Sequence, residues 1–138
     1  MKYLHAMIRV VDIKKSLQFY QEMLGLKLLR HKDYEAGRFS LYYLASQEGE
    51  PEIELTYNWD KAEYTNGNSF GHLAFAVENI YELCQKLEDS GVTILRPPRD
   101  GHMAFVKDPS GISIELLQAG ESLPGHEKWS KMTSTGSW

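Results

Sequence analysis

The sequence predicts an α+β fold built from two βαβββ modules whose strands form curved mixed sheets. Three observations predict it. The tripeptide Ile-Glu-Leu occurs twice, at Ile53-Glu54-Leu55 and at Ile114-Glu115-Leu116. Each copy follows a strand-like run that opens with a histidine, at His5 and at His72. The spacing after the two histidines also agrees, with Val10 and Val77 at the fifth residue on and Ile13 and Ile80 at the eighth. A 138-residue chain with this repeat reads as a single domain over 1–118, made of modules at about 1–58 and 70–118, followed by a polar C-terminal tail, 119–138.

The first module opens with a strand over about residues 3–10. Asp12 caps a helix whose stripe is Ile13, Leu17, Tyr20 and Leu24, and Gly25 stops it. Two strands follow, at 26–30 and 39–44. A polar loop at 45–50 and Pro51 lead into a last strand at 52–57. The second module repeats this order. A strand covers 71–77, and Asn79 with Glu82 forms a capping box for a helix that runs to Gly91. Residues 92–95 read as a short strand before Pro97-Pro98 breaks the chain. Strands at 103–107 and 112–117 then form a hairpin around Asp108-Pro109-Ser110-Gly111. The connection at about 58–69 is polar, as a surface linker should be. The tail carries Gly120, Pro124, Gly125 and a Ser/Thr/Gly run, so it is expected to be poorly ordered or loosely docked, with Trp129 and Trp138 out of place there.

Composition narrows the function classes. With 42% hydrophobic and 25% charged residues the chain reads as an ordinary globular protein. A net charge of −4 and the lack of a Lys/Arg-rich run argue against nucleic acid as a partner. No apolar run approaches the ~18 residues that would span a membrane, and no leader pattern opens the chain. The single cysteine, Cys84, sits on a helical stripe with Ile80, Leu83 and Leu87 and reads as a core residue. Together these point to a cytoplasmic protein without nucleic-acid or membrane partners.

Strand alternation then sorts the polar residues. His5, Met7 and Arg9 share one face, and Glu54, Thr56 and Asn58 share another. His72 lies with Ala74 and Ala76, and Glu115 with Ser113 and Leu117. The opposite faces are apolar and suit packing under helices. A lone strand histidine or glutamate is usually a surface residue. Two imidazoles and two carboxylates at matching places in a doubled module form instead a donor set for one divalent metal: His5, Glu54, His72 and Glu115. His31 and His126 fall in loop or tail contexts, and His102 opens the hairpin without a repeat partner.

Six segments resemble the glyoxalase I (lactoylglutathione lyase) family of the vicinal-oxygen-chelate superfamily: His5-Ala-Met-Ile-Arg9-Val, Ser16-Leu-Gln-Phe-Tyr20, Leu24-Gly25-Leu-Lys, Ile53-Glu54-Leu-Thr-Tyr-Asn58-Trp, Gly71-His72, and Asp108-Pro109-Ser-Gly111 with Ile114-Glu115-Leu. The resemblance covers residues 1 to about 118. It implies a glyoxalase/bleomycin-resistance-like fold in a homodimer, with each site using His5 and Glu54 of one chain and His72 and Glu115 of the other. It further implies isomerisation of the methylglyoxal–glutathione hemithioacetal to S-D-lactoylglutathione through an enediolate. Glu115 would act as catalytic base, with Glu54 as a second base, and substrate contacts would fall on Arg9, Asn58, His72 and Arg99. The implied cofactor is one divalent metal per site, Ni²⁺ first, then Co²⁺, then Zn²⁺. Segment 96–102 departs from the family by lacking its basic-Gly-Gly pattern. Since the fold also hosts dioxygenases, thiol transferases, epimerases and non-catalytic small-molecule-binding proteins, fold alone does not decide function.

Overall fold

In the computed structural model, which describes residues 1–60 and 63–138, the parallel pairing of first and last strands organises each half of the chain. The chain divides into two units, Met1–Thr65 and Asn66–Trp138. Part of the predicted linker, residues 61–62, lies outside the described residues.

In the first unit, β1 (His5–Val10) leads to a short helix α1 (Ile13–Leu17), a π-helical segment (Gln18–Met23), and strands β2 (Lys27–Tyr34), β3 (Phe39–Ala45) and β4 (Glu52–Asn58). The sheet order is β1-β4-β3-β2, with β1 parallel to β4 and the other pairs antiparallel. Asp12 caps α1 as expected, accepting from the Lys15 N–H at 3.1 Å. The predicted single helix instead widens after Leu17, with the Leu24 N–H reaching the Phe19 carbonyl five residues back. It still stops at Gly25, whose φ of +79° is the left-handed turn that closes a helix end, and Leu26 N–H donates to the Tyr20 carbonyl. Phe19, Tyr20, Ile8, Val10, Leu44, Ile53 and Leu55 are buried together. Burying aliphatic side chains of this size contributes about 1.5–3 kcal/mol each.

In the second unit, β5 (His72–Val77), α2 (Ile80–Asp89), β6 (Met103–Lys107) and β7 (Ser113–Gln118) form a three-stranded sheet ordered β5-β7-β6 under one helix. Asn79 caps α2 through the Tyr81 and Glu82 N–H groups. Ile80, Cys84 and Leu87 are fully buried against Val106, Ile114 and Leu116, and burial pushes the Cys84 thiol up to about 12. The cysteine is a core residue.

Two expectations are corrected here. Residues 92–95 do not form a strand. Only Arg96 bridges Phe105, because Pro97-Pro98 follows at once, removing backbone donors and restricting the residue before it. Nor is the tail loosely docked. It contains α3 (Glu127–Lys131), whose Trp129 is 1% exposed, and Lys128 reaches Gln85 and Glu88 of α2. Leu123 N–H donates to the Gly101 carbonyl, and a Cβ at Gly101 would lie 2.2 Å from the Leu123 carbonyl oxygen. The two tryptophans that looked misplaced in a polar stretch are what hold it down.

The turn that launches β6 is fastened by Asp100. Its carboxylate accepts from the His102 and Met103 N–H groups, both at 3.0 Å, and from Arg96 at 2.9 Å. Desolvation alone would push Asp100 up, but the Arg96 guanidinium and the two backbone donors prevail and hold its carboxyl down at about 2. A carboxyl lowered on folding stabilises the native state above its unfolded pKa of about 4, and that stabilisation fades as pH falls from about 4 to about 2. Asp100→Asn should therefore lower stability at neutral pH by about 1 kcal/mol, a modest value because the side chain is 45% exposed. Denaturant melts of the two proteins should converge as pH drops through that window.

Candidate metal centre

The two strand pairings share a register. In the first unit Met7 of β1 lies opposite Glu54 of β4, so His5 stands two residues before Glu54's partner. In the second, Ala74 of β5 lies opposite Glu115 of β7, and His72 stands two residues before it. The consequence is the same in both units: His5 Nε2 lies 3.0 Å from Glu54 Oε2, and His72 Nε2 lies 3.0 Å from Glu115 Oε2. Each imidazole is partly open to solvent, at 37% and 41%, while the carboxylates are mostly covered, at 12% and 16%. A third side chain completes each cluster. Tyr43 of β3 lies opposite Glu54 and meets His5 edge-on at 5.9 Å, and Phe105 of β6 lies opposite Glu115 and meets His72 edge-on at 5.3 Å.

Imidazole nitrogen and carboxylate oxygen converging from paired strands suit a divalent cation of intermediate hardness. Two such pairs would supply four donors and two negative charges. Among the described residues, no group of three or more His, Cys, Asp or Glu side chains gathers at one place. Each unit thus carries a pair.

The pairs differ in what holds the carboxylate. Thr56 Oγ donates to Glu54 Oε1 at 3.3 Å. The Tyr43 hydroxyl is also hydrogen-bonded to Glu54; burial first, then the Glu54 charge and that bond, raise its pKa. Tyr43 is braced in turn by Arg30, which lies 3.7 Å above its ring and forms a bidentate pair with Glu52 at 2.5 and 2.7 Å. The matching positions beside Glu115 are Phe105 and Leu117, which carry no donor. The repeat is symmetric in its His–Glu pairs and asymmetric around them.

The substrate-contact candidates fall in three settings. Arg9 is exposed on the His5 face of β1. Asn58, at the end of β4, accepts from the Tyr64 hydroxyl at 2.9 Å and lines a cavity of about 440 Å³ with Val10, Asp12, Lys14 and Tyr57. Arg99 donates through one nitrogen to the Met132 carbonyl and to Ser134 Oγ, both at 3.1 Å. Its guanidinium therefore also anchors the segment after β7. Sequence reasoning missed Tyr43 and Phe105, and placed Thr56 on the Glu54 face without giving it a role. Alternation in β4 puts Thr56 beside Glu54, but placing Tyr43 and Phe105 needs the hairpin registers. His102 lies on β6's approach, with its Nδ1 buried and unpaired.

A model of the Glyoxalase/Bleomycin resistance protein/Dioxygenase superfamily matches residues 2–116. A protein of Synechocystis sp. described as a probable lactoylglutathione lyase is 49% identical over 122 residues, covering 83% of this chain and 93% of that protein. The lactoylglutathione lyase of Neisseria meningitidis serogroup B is 43% identical over 125 residues, covering 86% and 91%. Among solved structures, the trypanothione-dependent glyoxalase I of Leishmania major superposes with a TM-score of 0.82 at 38% identity, covering 86% of each chain.

Proposed function

This chain belongs to the Glyoxalase/Bleomycin resistance protein/Dioxygenase superfamily, and we propose that it is a lactoylglutathione lyase using a divalent metal held by His5, Glu54, His72 and Glu115. The observation that carries the reading is the recurrence of a 3.0 Å His–Glu contact at the same register in both units. Relatives named for this activity, at 49% and 43% identity, support it over a thiol transferase, an epimerase or a binding protein of the same fold. They also favour glutathione over trypanothione as the thiol. Nickel is the first choice of metal, cobalt the second and zinc the third. The site is completed in a homodimer, His5 and Glu54 coming from one chain and His72 and Glu115 from the other, in the cytoplasm.

The substrate is the hemithioacetal that methylglyoxal and glutathione form spontaneously. Its conversion moves one proton from the carbon bearing sulfur and hydroxyl to the neighbouring carbonyl carbon, leaving the thioester S-D-lactoylglutathione. The difficulty is a weakly acidic C–H and the charge that develops on two adjacent oxygens. A divalent metal held by His5, Glu54, His72 and Glu115 would supply Lewis-acid stabilisation of that charge, worth several kcal/mol. The chain's own residues do the rest. Glu115, beside Phe105 and Leu117 and without their help as donors, takes the proton and returns it to the neighbouring carbon. Glu54, pinned by Thr56 and Tyr43, stays a fixed ligand, and acts as a second base only for the other enantiomer of the substrate. Arg9 and Asn58 hold the peptide of glutathione, and Arg99 keeps further donors for a carboxylate while one nitrogen anchors the segment after β7.

Thioester formation from methylglyoxal and glutathione, followed by absorbance with Ni²⁺, Co²⁺ or Zn²⁺ added to metal-free protein, tests the reading. Activity should appear with at least one of the three, and none with any would end it. Glu115→Gln should lower kcat by roughly 10²–10⁴-fold while a glutathione analogue still binds. Glu54→Gln should act chiefly by lowering metal occupancy, measured by elemental analysis. Near-normal turnover in Glu115→Gln would remove that residue from the base role.

A further inference from the structure

Residues 119–138 lie beyond the matched segment 2–116, yet they end on the face of the second sheet that carries His72 and Glu115. Their path is held at successive points. Tyr81 of α2 donates to the Pro124 carbonyl at 2.8 Å, and Trp129 is buried. Arg99 clasps Met132 and Ser134, and Thr135 N–H donates to the Leu95 carbonyl at 2.8 Å, beside the Arg96–Phe105 bridge. Gly136 then turns the backbone at φ +67°, with Leu95 Cδ2 only 3.1 Å from where a Cβ would sit. Two residues later the Trp138 indole stacks on Phe105, ring centroids 5.8 Å apart and planes at 25°. Phe105 lies opposite Glu115 in the sheet and presses its ring against His72, so the row runs His72, Phe105, Trp138 across one face.

Phe105 is 6% exposed, whereas Trp138 is 45% exposed. Core packing does not account for an indole left half open. An exposed aromatic face one ring away from a metal-ligand candidate, across Phe105, is well placed to meet an apolar group on a bound substrate. We propose that Trp138 is a specificity-determining residue: stacked on Phe105, on the side away from His72, it extends an apolar wall that contacts the carbon substituent carried on the substrate's sulfur. A larger, aromatic substituent gains more from that wall than a methyl group does. The proposal rests on the lactoylglutathione lyase reading, since that reading puts an S-substituted glutathione at His72.

Calorimetric titration of the metal-loaded protein with S-methylglutathione and S-benzylglutathione tests it. The wild type should bind both, the benzyl compound more tightly. Trp138→Ala should reduce the benzyl-to-methyl affinity ratio by roughly three- to tenfold with S-methylglutathione affinity little changed, and Trp138→Phe should retain most of the ratio. An unchanged ratio in Trp138→Ala, or an equal loss for both compounds, would overturn the wall and leave the enzyme reading intact. Failure of the wild type to bind either compound would instead overturn the enzyme reading, and the wall with it.

Discussion

Everything at this site depends on one constraint: in each unit the first and last strands run parallel, in a register that puts the glutamate two residues beyond the position opposite the histidine. Parallel pairing is unavailable to a simple hairpin, so a connection has to cross over before the last strand can return. That crossover is the helix and the strands between. Ile8, Val10, Ile53 and Leu55 in one unit, and Ile114 and Leu116 in the other, bury the opposite face and lock the register. A slip of one residue in either strand would turn its histidine or glutamate into the core and its aliphatic residues into solvent. The hydrophobic pattern that folds each sheet is therefore also what aims its imidazole and carboxylate at the same point.

Within the doubled geometry the two carboxylates have different neighbours. Glu54 receives hydrogen bonds from Thr56 and Tyr43, and the Arg30–Glu52 pair steadies Tyr43 from behind. Glu115 faces Phe105 and Leu117 instead. A carboxylate tied by donors suits a permanent ligand. One bounded by apolar side chains is freer to leave a metal and accept a proton. Divergence at two flanking positions in an otherwise repeated motif changes the surroundings of the carboxylate without disturbing the shared backbone, which is what the proposed division into ligand and base requires.

Much of this was legible in the sequence. Period-two alternation put His5, Glu54, His72 and Glu115 on the faces where the structure has them, and the caps at Asp12 and Asn79 and the stop at Gly25 followed from local backbone chemistry. Three features were not legible, each for a physical reason. The 92–95 segment has strand-like residues, but Pro97-Pro98 allows only one bridge, and that effect acts on pairing rather than on propensity. Tyr43 and Phe105 reach the His–Glu pairs through cross-strand register, which alternation within one strand cannot supply. The segment after β7 is polar in composition, and its order rests on two tryptophans and a few backbone bonds to α2, Gly101 and Leu95 rather than on any periodic pattern.

In the proposed site each unit supplies half of the metal ligands and two chains complete it. Subunit mixing tests it most directly. His5→Ala and His72→Ala should each be inactive alone. If sites are shared across a two-fold dimer, a heterodimer of the two variants carries one site with both substitutions and one with neither. Equilibrated mixtures should then recover about a quarter of wild-type thioester formation. Mixtures shown by mass spectrometry to contain heterodimers, yet remaining inactive, would contradict the shared site.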